Sequence, residues 1–216
     1  MNNHDAVFAE WNGWLEAMKN EVTNLFVERH IFWEVRKIIE ANPAIQVSST
    51  FYEWMGSVYA AYASIGLRRQ IDKDERSISL RRLLEQIKDQ PEVLSRTRYV
   101  ALWDDPVVRK RFADEAFDRF AGSGKPHIDP AMVEEDCSQL VKMIDGVKGY
   151  VDKRVAHYDR EGPTTVPTFA DLNECLDFVE DLLIKYLAVF RAESWRSVLP
   201  VWQHDWKQIF RHPWIA

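Results

Sequence analysis

Between Phe169 and Phe190 an apolar residue recurs at alternating steps of three and four: Phe169, Leu172, Leu176, Val179, Leu183, Tyr186 and Phe190. A row of that period lines one side of a helix. It must be covered by another helix, and its unbroken alternation predicts the seam of an antiparallel pair or bundle. Thr168, placed after Pro167, starts the helix, with Asp171 three residues on as a weaker version of the capping box. The preceding helix is predicted to open at Asp129-Pro130, where Asp caps and Pro suits the first turn. Its buried face is Leu140, Ile144, Val147, Val151, Val155 and Tyr158. The connection EGPTTVP is short, so these two helices should lie side by side and antiparallel.

The same period runs through the first part of the chain. Phe8, Trp11, Leu15, Met18, Val22 and Leu25 form one face of a helix from about Asp5 to Ala41, which Asn42-Pro43 ends. A second helix begins near Ser48 with Phe51, Met55, Val58, Tyr62 and Ile65 as its inward stripe, continued by Arg69 and Asp72. A third, capped by Ser77 or Ser79, turns Leu80, Leu83, Leu84 and Ile87 inward. From Pro91 to Gly124 the pattern is less regular, with one short helix from Pro106 to Ala121 and the loop GSGKP. Four of the nine Trp follow residue 194, so the tail is expected to dock on the core. The expected architecture is a single all-α domain over residues 1–216. It is an antiparallel helical bundle with a small helical insertion at about 91–128 and a docked Trp-rich C-terminal tail.

Composition narrows the function classes. The formal charge of −6 argues against a general nucleic-acid coat but leaves room for a local basic groove. One strip, residues 66–88, carries seven Lys or Arg against four Asp or Glu. The longest uncharged run, Trp54 to Leu67, is shorter than the roughly 18–20 residues of a membrane span. The opening residues carry no signal-peptide pattern. Two cysteines, Cys137 and Cys175, suit a reducing compartment and are expected as buried thiols rather than a disulfide, so a cytoplasmic location is expected. Most Trp and Phe fall on helical stripes and are expected in the core rather than on a base-stacking platform. No zinc-ligand spacing is present, and no metal or cofactor is expected. Asp129, Glu134, Glu135 and Asp136 sit in a first helical turn, where acids offset the helix dipole.

The candidate chemistry is KRVAHYD, Lys153 to Asp159. At about 100° per residue, Arg154 lies roughly 60° off the apolar stripe, Tyr150 and His157 roughly 100–120°, and Lys153 roughly 160°, in water. Tyr150, Arg154 and His157 thus form a polar row along one edge of the stripe. An Arg beside a His at a groove edge can hold a phosphate and move a proton. A helix end also favours Lys, Arg and His for its dipole alone, and Asp159 can simply pair with Arg154 or His157. RRQID has two readings as well. Arg68, Arg69 and Asp72 are either part of an RNA groove or an ion pair closing the helix, as Arg68–Asp72 or Arg69–Asp72.

YVDKRVAHYD followed by PTFADLNECLDFVEDLLIKY, with IGLRRQIDKDERSISLRRLL upstream and WKQIFRHPWI at the end, resembles the HEPN-like, AbiU-type abortive-infection family. The resemblance implies a helical bundle acting as a homodimer in antiviral defence. It also implies metal-independent RNA cleavage by Arg154 and His157, with Tyr150, Lys153, Asp159, Arg68, Arg69 and Asp72 as binding residues. RNA and an antitoxin or other protein are the implied partners. The pattern departs from HEPN nucleases in one respect: only two residues separate Arg154 from His157, fewer than those enzymes usually place there. A non-catalytic module binding RNA, a nucleotide or a protein, and a purely structural bundle, are the other readings.

Overall fold

The computed structural model describes residues 3–103, 105–108, 112–155 and 159–213. Its helices are α1 (Asn3–Ala41), α2 (Thr50–Gln70), α3 (Leu80–Asp89), α4 (Arg96–Ala101), α5 (Pro106–Val108), α6 (Asp114–Ala121), α7 (Pro130–Tyr150) and α8 (Phe169–Arg191). Among the described residues there is no strand, only an isolated bridge between Ser95 and His127. The described residues make an all-α fold. No described helix is long and apolar enough to cross a membrane.

The helix starts follow the sequence signals. Ser49 caps α2, Ser79 caps α3 and Asp129 caps α7, each through its side-chain oxygen. At α8, Thr168 and Asp171 close a reciprocal capping box. The seam of α8 is the centre of the core, with Leu172, Leu176, Val179, Leu183 and Tyr186 all fully buried. Contacts about three turns apart fix its direction. Cys175 Sγ donates to the Met143 carbonyl at 3.2 Å, and Lys185 reaches Asp136 at 2.6 Å, so α7 and α8 run antiparallel. Arg191 on Glu16 and Arg29 on Asp177 set α1 antiparallel to α8 in the same way. Both cysteines are free; Cys175 is buried as expected, whereas Cys137 is only partly buried.

The α1–α2 pair departs from the expected stripe. Its buried face is Tyr59, Ala63, Gly66, Leu67 and Gln70. Phe51, Val58 and Tyr62, expected inside, are 49%, 48% and 44% exposed. Arg69, expected to be partly buried along that stripe, is exposed. The small residues Ala63 and Gly66 let α1 approach so closely that this side of α2, not the more aromatic one, enters the core. A Cβ at Gly66 would stand 2.8 Å from Leu25 Cδ1. Gly66→Ala would gain about 1 kcal/mol of helix propensity. It should still lose about 1–2 kcal/mol net in urea melts, because overpacking costs about 1–3 kcal/mol. Unchanged or increased stability would show that Leu25 gives way freely.

In the middle region the expected helix from Pro106 to Ala121 is present as α5 and α6, with residues 109–111 outside the described set. The short α4 has too few residues to show a period. Arg96 ties this region together: its guanidinium donates to the Asp114 carbonyl at 2.9 Å and to Asp118 at 2.5 Å, and its Nε to the Lys125 carbonyl at 2.8 Å. Tyr99, Phe117 and Ala121 form a small cluster there. The tail docks as expected. Ser197 Oγ and the Val198 N–H both donate to Glu180, Lys207 pairs with Glu34, and Trp202 stacks on His30.

Candidate functional site: the end of α7 and the grooves beside it

Past Tyr150 the α7 helix widens. Val151–Val155 form a π-helical turn, and beyond it the Asp159 N–H donates back to the Lys153 carbonyl at 3.0 Å. Each residue then turns by less than the 100° of an α-helix, so side chains are re-aimed. Lys153, expected in water, is half-buried, and Arg154, expected at the stripe's edge, is exposed. Such turns recur at functional sites. His157 and Tyr158 lie outside the described residues.

Arg154 lies over the α7–α8 loop. Its Nη2 is 3.2 Å from where a Cβ would stand on Gly162, a residue at φ +71. Only a glycine adopts that backbone without strain and leaves room for the guanidinium. Asp159 accepts the Glu161 N–H at 2.9 Å, a turn-forming contact.

RRQID comes to the same helix end. Arg68 Nε donates to Asp152 at 2.9 Å, Arg68 Nη1 to Asp72 at 3.2 Å, and Lys148 Nζ to Asp152 at 2.8 Å. Burial raises the Asp152 carboxyl pKa, but the hydrogen bonds from Lys148 and Arg68 outweigh it and hold it below the usual carboxylate range. The same Asp152 contact raises Arg68. Of the two ion pairs the spacing allows, Arg68–Asp72 forms, while Arg69 turns to Glu21 at 3.2 Å.

Two grooves flank this junction. One, of about 670 Å³, lies between the end of α2, the start of α3 and Lys148; its cations are Arg68, Lys73, Arg76, Arg81 and Lys148, and its acids Asp72, Asp74 and Glu75. The other, of about 620 Å³, is lined by Tyr150, Tyr52, Glu53, Ser57, Val166 and Pro167 among others. Local spacing missed Asp152, Lys148 and Arg81. The i,i+4 step from Lys148 to Asp152 was the available signal.

The acidic turn at the start of α7 is used structurally. Asp129 caps the Ala131 N–H, Glu134 pairs with Lys88 at 2.6 Å, and Asp136 receives Lys185 and the buried Tyr186 hydroxyl. Among the described residues no group of three or more His, Cys, Asp or Glu is placed to hold a metal ion.

In comparison with known proteins, the family model described as AbiU2, a HEPN family, matches residues 8–209. No curated protein and no solved structure matches the chain.

Proposed function

This chain belongs to the HEPN-like AbiU2 family, and from that premise we propose that it acts in phage defence by cleaving RNA without a metal ion. The observation that carries the reading is the π-helical turn Val151–Val155, which leaves Arg154 exposed at the end of α7. In this reading the RNA 2′-hydroxyl attacks the adjacent phosphorus. The O2′–P bond forms as the P–O5′ bond breaks, leaving a cyclic phosphate and a 5′-hydroxyl. His157 carries the proton, since imidazole titrates near neutral pH. Arg154 offsets the charge that builds on the phosphate oxygens. The test is cleavage of a labelled RNA by the purified chain, alone and with a candidate antitoxin. Cutting should survive EDTA and spare a DNA strand of the same sequence, which lacks the nucleophile. Loss of cutting in EDTA, or equal cutting of DNA, overturns the mechanism.

A second reading is favoured by a specific observation. Only two residues separate Arg154 from His157, and Arg68 and Lys148 are tied to Asp152. A non-catalytic module of the same fold would bind RNA through the groove of Arg68, Lys73 and Lys148 without cutting it. In both readings Asp152 holds two of the groove's cations, Arg68 and Lys148, in check. Asp152→Asn should therefore tighten binding of labelled single-stranded RNA. It should also steepen the salt dependence by about 0.7 for each further phosphate that the released cations neutralise. Unchanged affinity in a fluorescence-anisotropy titration would place the RNA path elsewhere.

A further inference from the structure

At the end of α2 far from Arg68 the chain builds another groove. Helix α1 stops before Asn42-Pro43, and a 3-10 turn over Pro43–Ile45 leads towards α2. The polar groups of this corner bond one another. Asn42 Oδ1 accepts the Ala44 N–H, Gln46 Nε2 donates to the Ile39 and Glu40 carbonyls, and the Tyr52 hydroxyl donates to the Ile45 carbonyl at 2.6 Å. The helix walls of the groove are then mainly apolar, with Ile38 and Ile39 from α1 and Phe51 and Met55 from α2. The tail supplies a third wall. Its 3-10 helix at Trp206–Arg211 is held on α1 by the Lys207–Glu34 pair and by Trp206 against His30, and it brings Phe210 to the groove.

The groove measures about 610 Å³, within the roughly 300–1,000 Å³ of small-molecule sites. Its charge is one-sided. Among the described residues that line it there is no Asp or Glu, although the chain carries a formal charge of −6. The permanent cation is Arg211, on the tail wall beside His212. Arg211 reaches Asp205 at 2.7 Å, but the two side chains are 70% and 46% exposed, and ion pairs so open to water hold weakly. A guanidinium also keeps further N–H groups for a second acceptor. An apolar trough with one cationic wall is complementary to an apolar chain with one anionic end. A sugar or a nucleotide would instead bury polar atoms against Ile38, Ile39 and Met55, where nothing pairs with them. We propose that this groove binds a medium-chain aliphatic carboxylate, with its chain between α1 and α2 and its carboxylate on Arg211. Trp214 and Ile215, which follow Pro213 and lie outside the described residues, are the rival occupant.

The proposal does not rest on RNA cleavage, and its test needs no RNA. Isothermal titration calorimetry of the full chain with octanoate and decanoate should show one site. Each added methylene should tighten binding by about 3–4-fold. Octan-1-ol, of the same length as octanoate but without the charge, should bind about tenfold more weakly. In Arg211→Gln, octanoate should fall to the level of the alcohol, while the alcohol itself is unchanged. Phe51→Glu puts a charge on the apolar wall and should abolish binding of both. It lies in the first turn of α2, where an acid suits the helix dipole, so the melting temperature should hold. Val58→Glu, exposed on the same helix but outside this groove, should leave every affinity unchanged. An alcohol that binds as tightly as the acid overturns the proposal. So does equal loss in Phe51→Glu and Val58→Glu, or binding that is seen only after Trp214→Ala and Ile215→Ala. A wild type that binds neither acid, before or after those changes, overturns it as well.

Discussion

Leu183→Ala should cost about 2–5 kcal/mol of folding stability, the range for emptying a buried leucine site. Leu183 is fully buried at the middle of the α8 seam, between Val179 and Tyr186, which are fully buried too. Helices α1, α2 and α7 all pack on α8, so the cavity would be walled from three sides and could not collapse by shifting one neighbour. At this chain length each kcal/mol moves the melting temperature by about 2–4 °C, so a fall of roughly 5–20 °C is expected. Asp181→Ala, on the exposed side of the same helix, should stay within about 0.5 kcal/mol. A loss below roughly 1 kcal/mol at Leu183 would mean that the seam is not the centre of the core.

That seam was legible because every step of α8 agreed: the cap, the alternation of three and four, and the length. α2 shows where periodicity stops informing. It identified an apolar stripe through Phe51, Val58 and Tyr62 correctly as a stripe, but a helix with two apolar faces does not say which one is inside. The buried face is built from Ala63, Gly66 and Leu67. Two of these three carry little hydrophobic signal, and their role is to let Leu25 of α1 come close. Local pattern contains no trace of that approach, since it belongs to the partner helix.

The candidate site was legible as a set of residues and not as an arrangement. Placing Lys153 and Arg154 by 100° steps assumed a uniform helix. The π-helical turn from Val151 to Val155 breaks that assumption, and the Asp159 N–H from beyond it bonds back to the Lys153 carbonyl. The meeting of RRQID with the end of α7 was likewise invisible, because Arg68 and Asp152 are joined only by the fold. Half of that junction, Lys148 with Asp152, has helical spacing. The other half makes Asp152 the residue that restrains both cations. Sequence spacing had offered Asp72 alone as the counter-charge of this strip.

Arg154→Ala and His157→Ala should each reduce RNA cleavage by about 10²–10⁴-fold, the range for removing a positioned proton carrier or a donor to the developing oxyanion. The two losses need not add, because groups acting in one step fail together, and the double variant should be little worse than the worse single. The comparison has to be made at equal folded concentration, checked by far-UV circular dichroism. Arg154→Lys separates two roles for the first residue. A lysine keeps the charge but not the planar fork, so it should rescue binding of the phosphate more than its alignment. The KM should then return towards wild type while kcat stays low. The pH profile separates the roles of the second. If His157 carries the proton, the wild-type rate should change with a group titrating near neutral pH, and that dependence should vanish in His157→Ala. Equal cutting by wild type and both variants would place the activity outside this motif. A wild type that binds RNA tightly but never cuts it, with or without a partner protein, would make the short Arg–His spacing decisive. The groove of Arg68, Lys73 and Lys148 would then be the functional surface, and Asp152→Asn the variant that changes what the protein does.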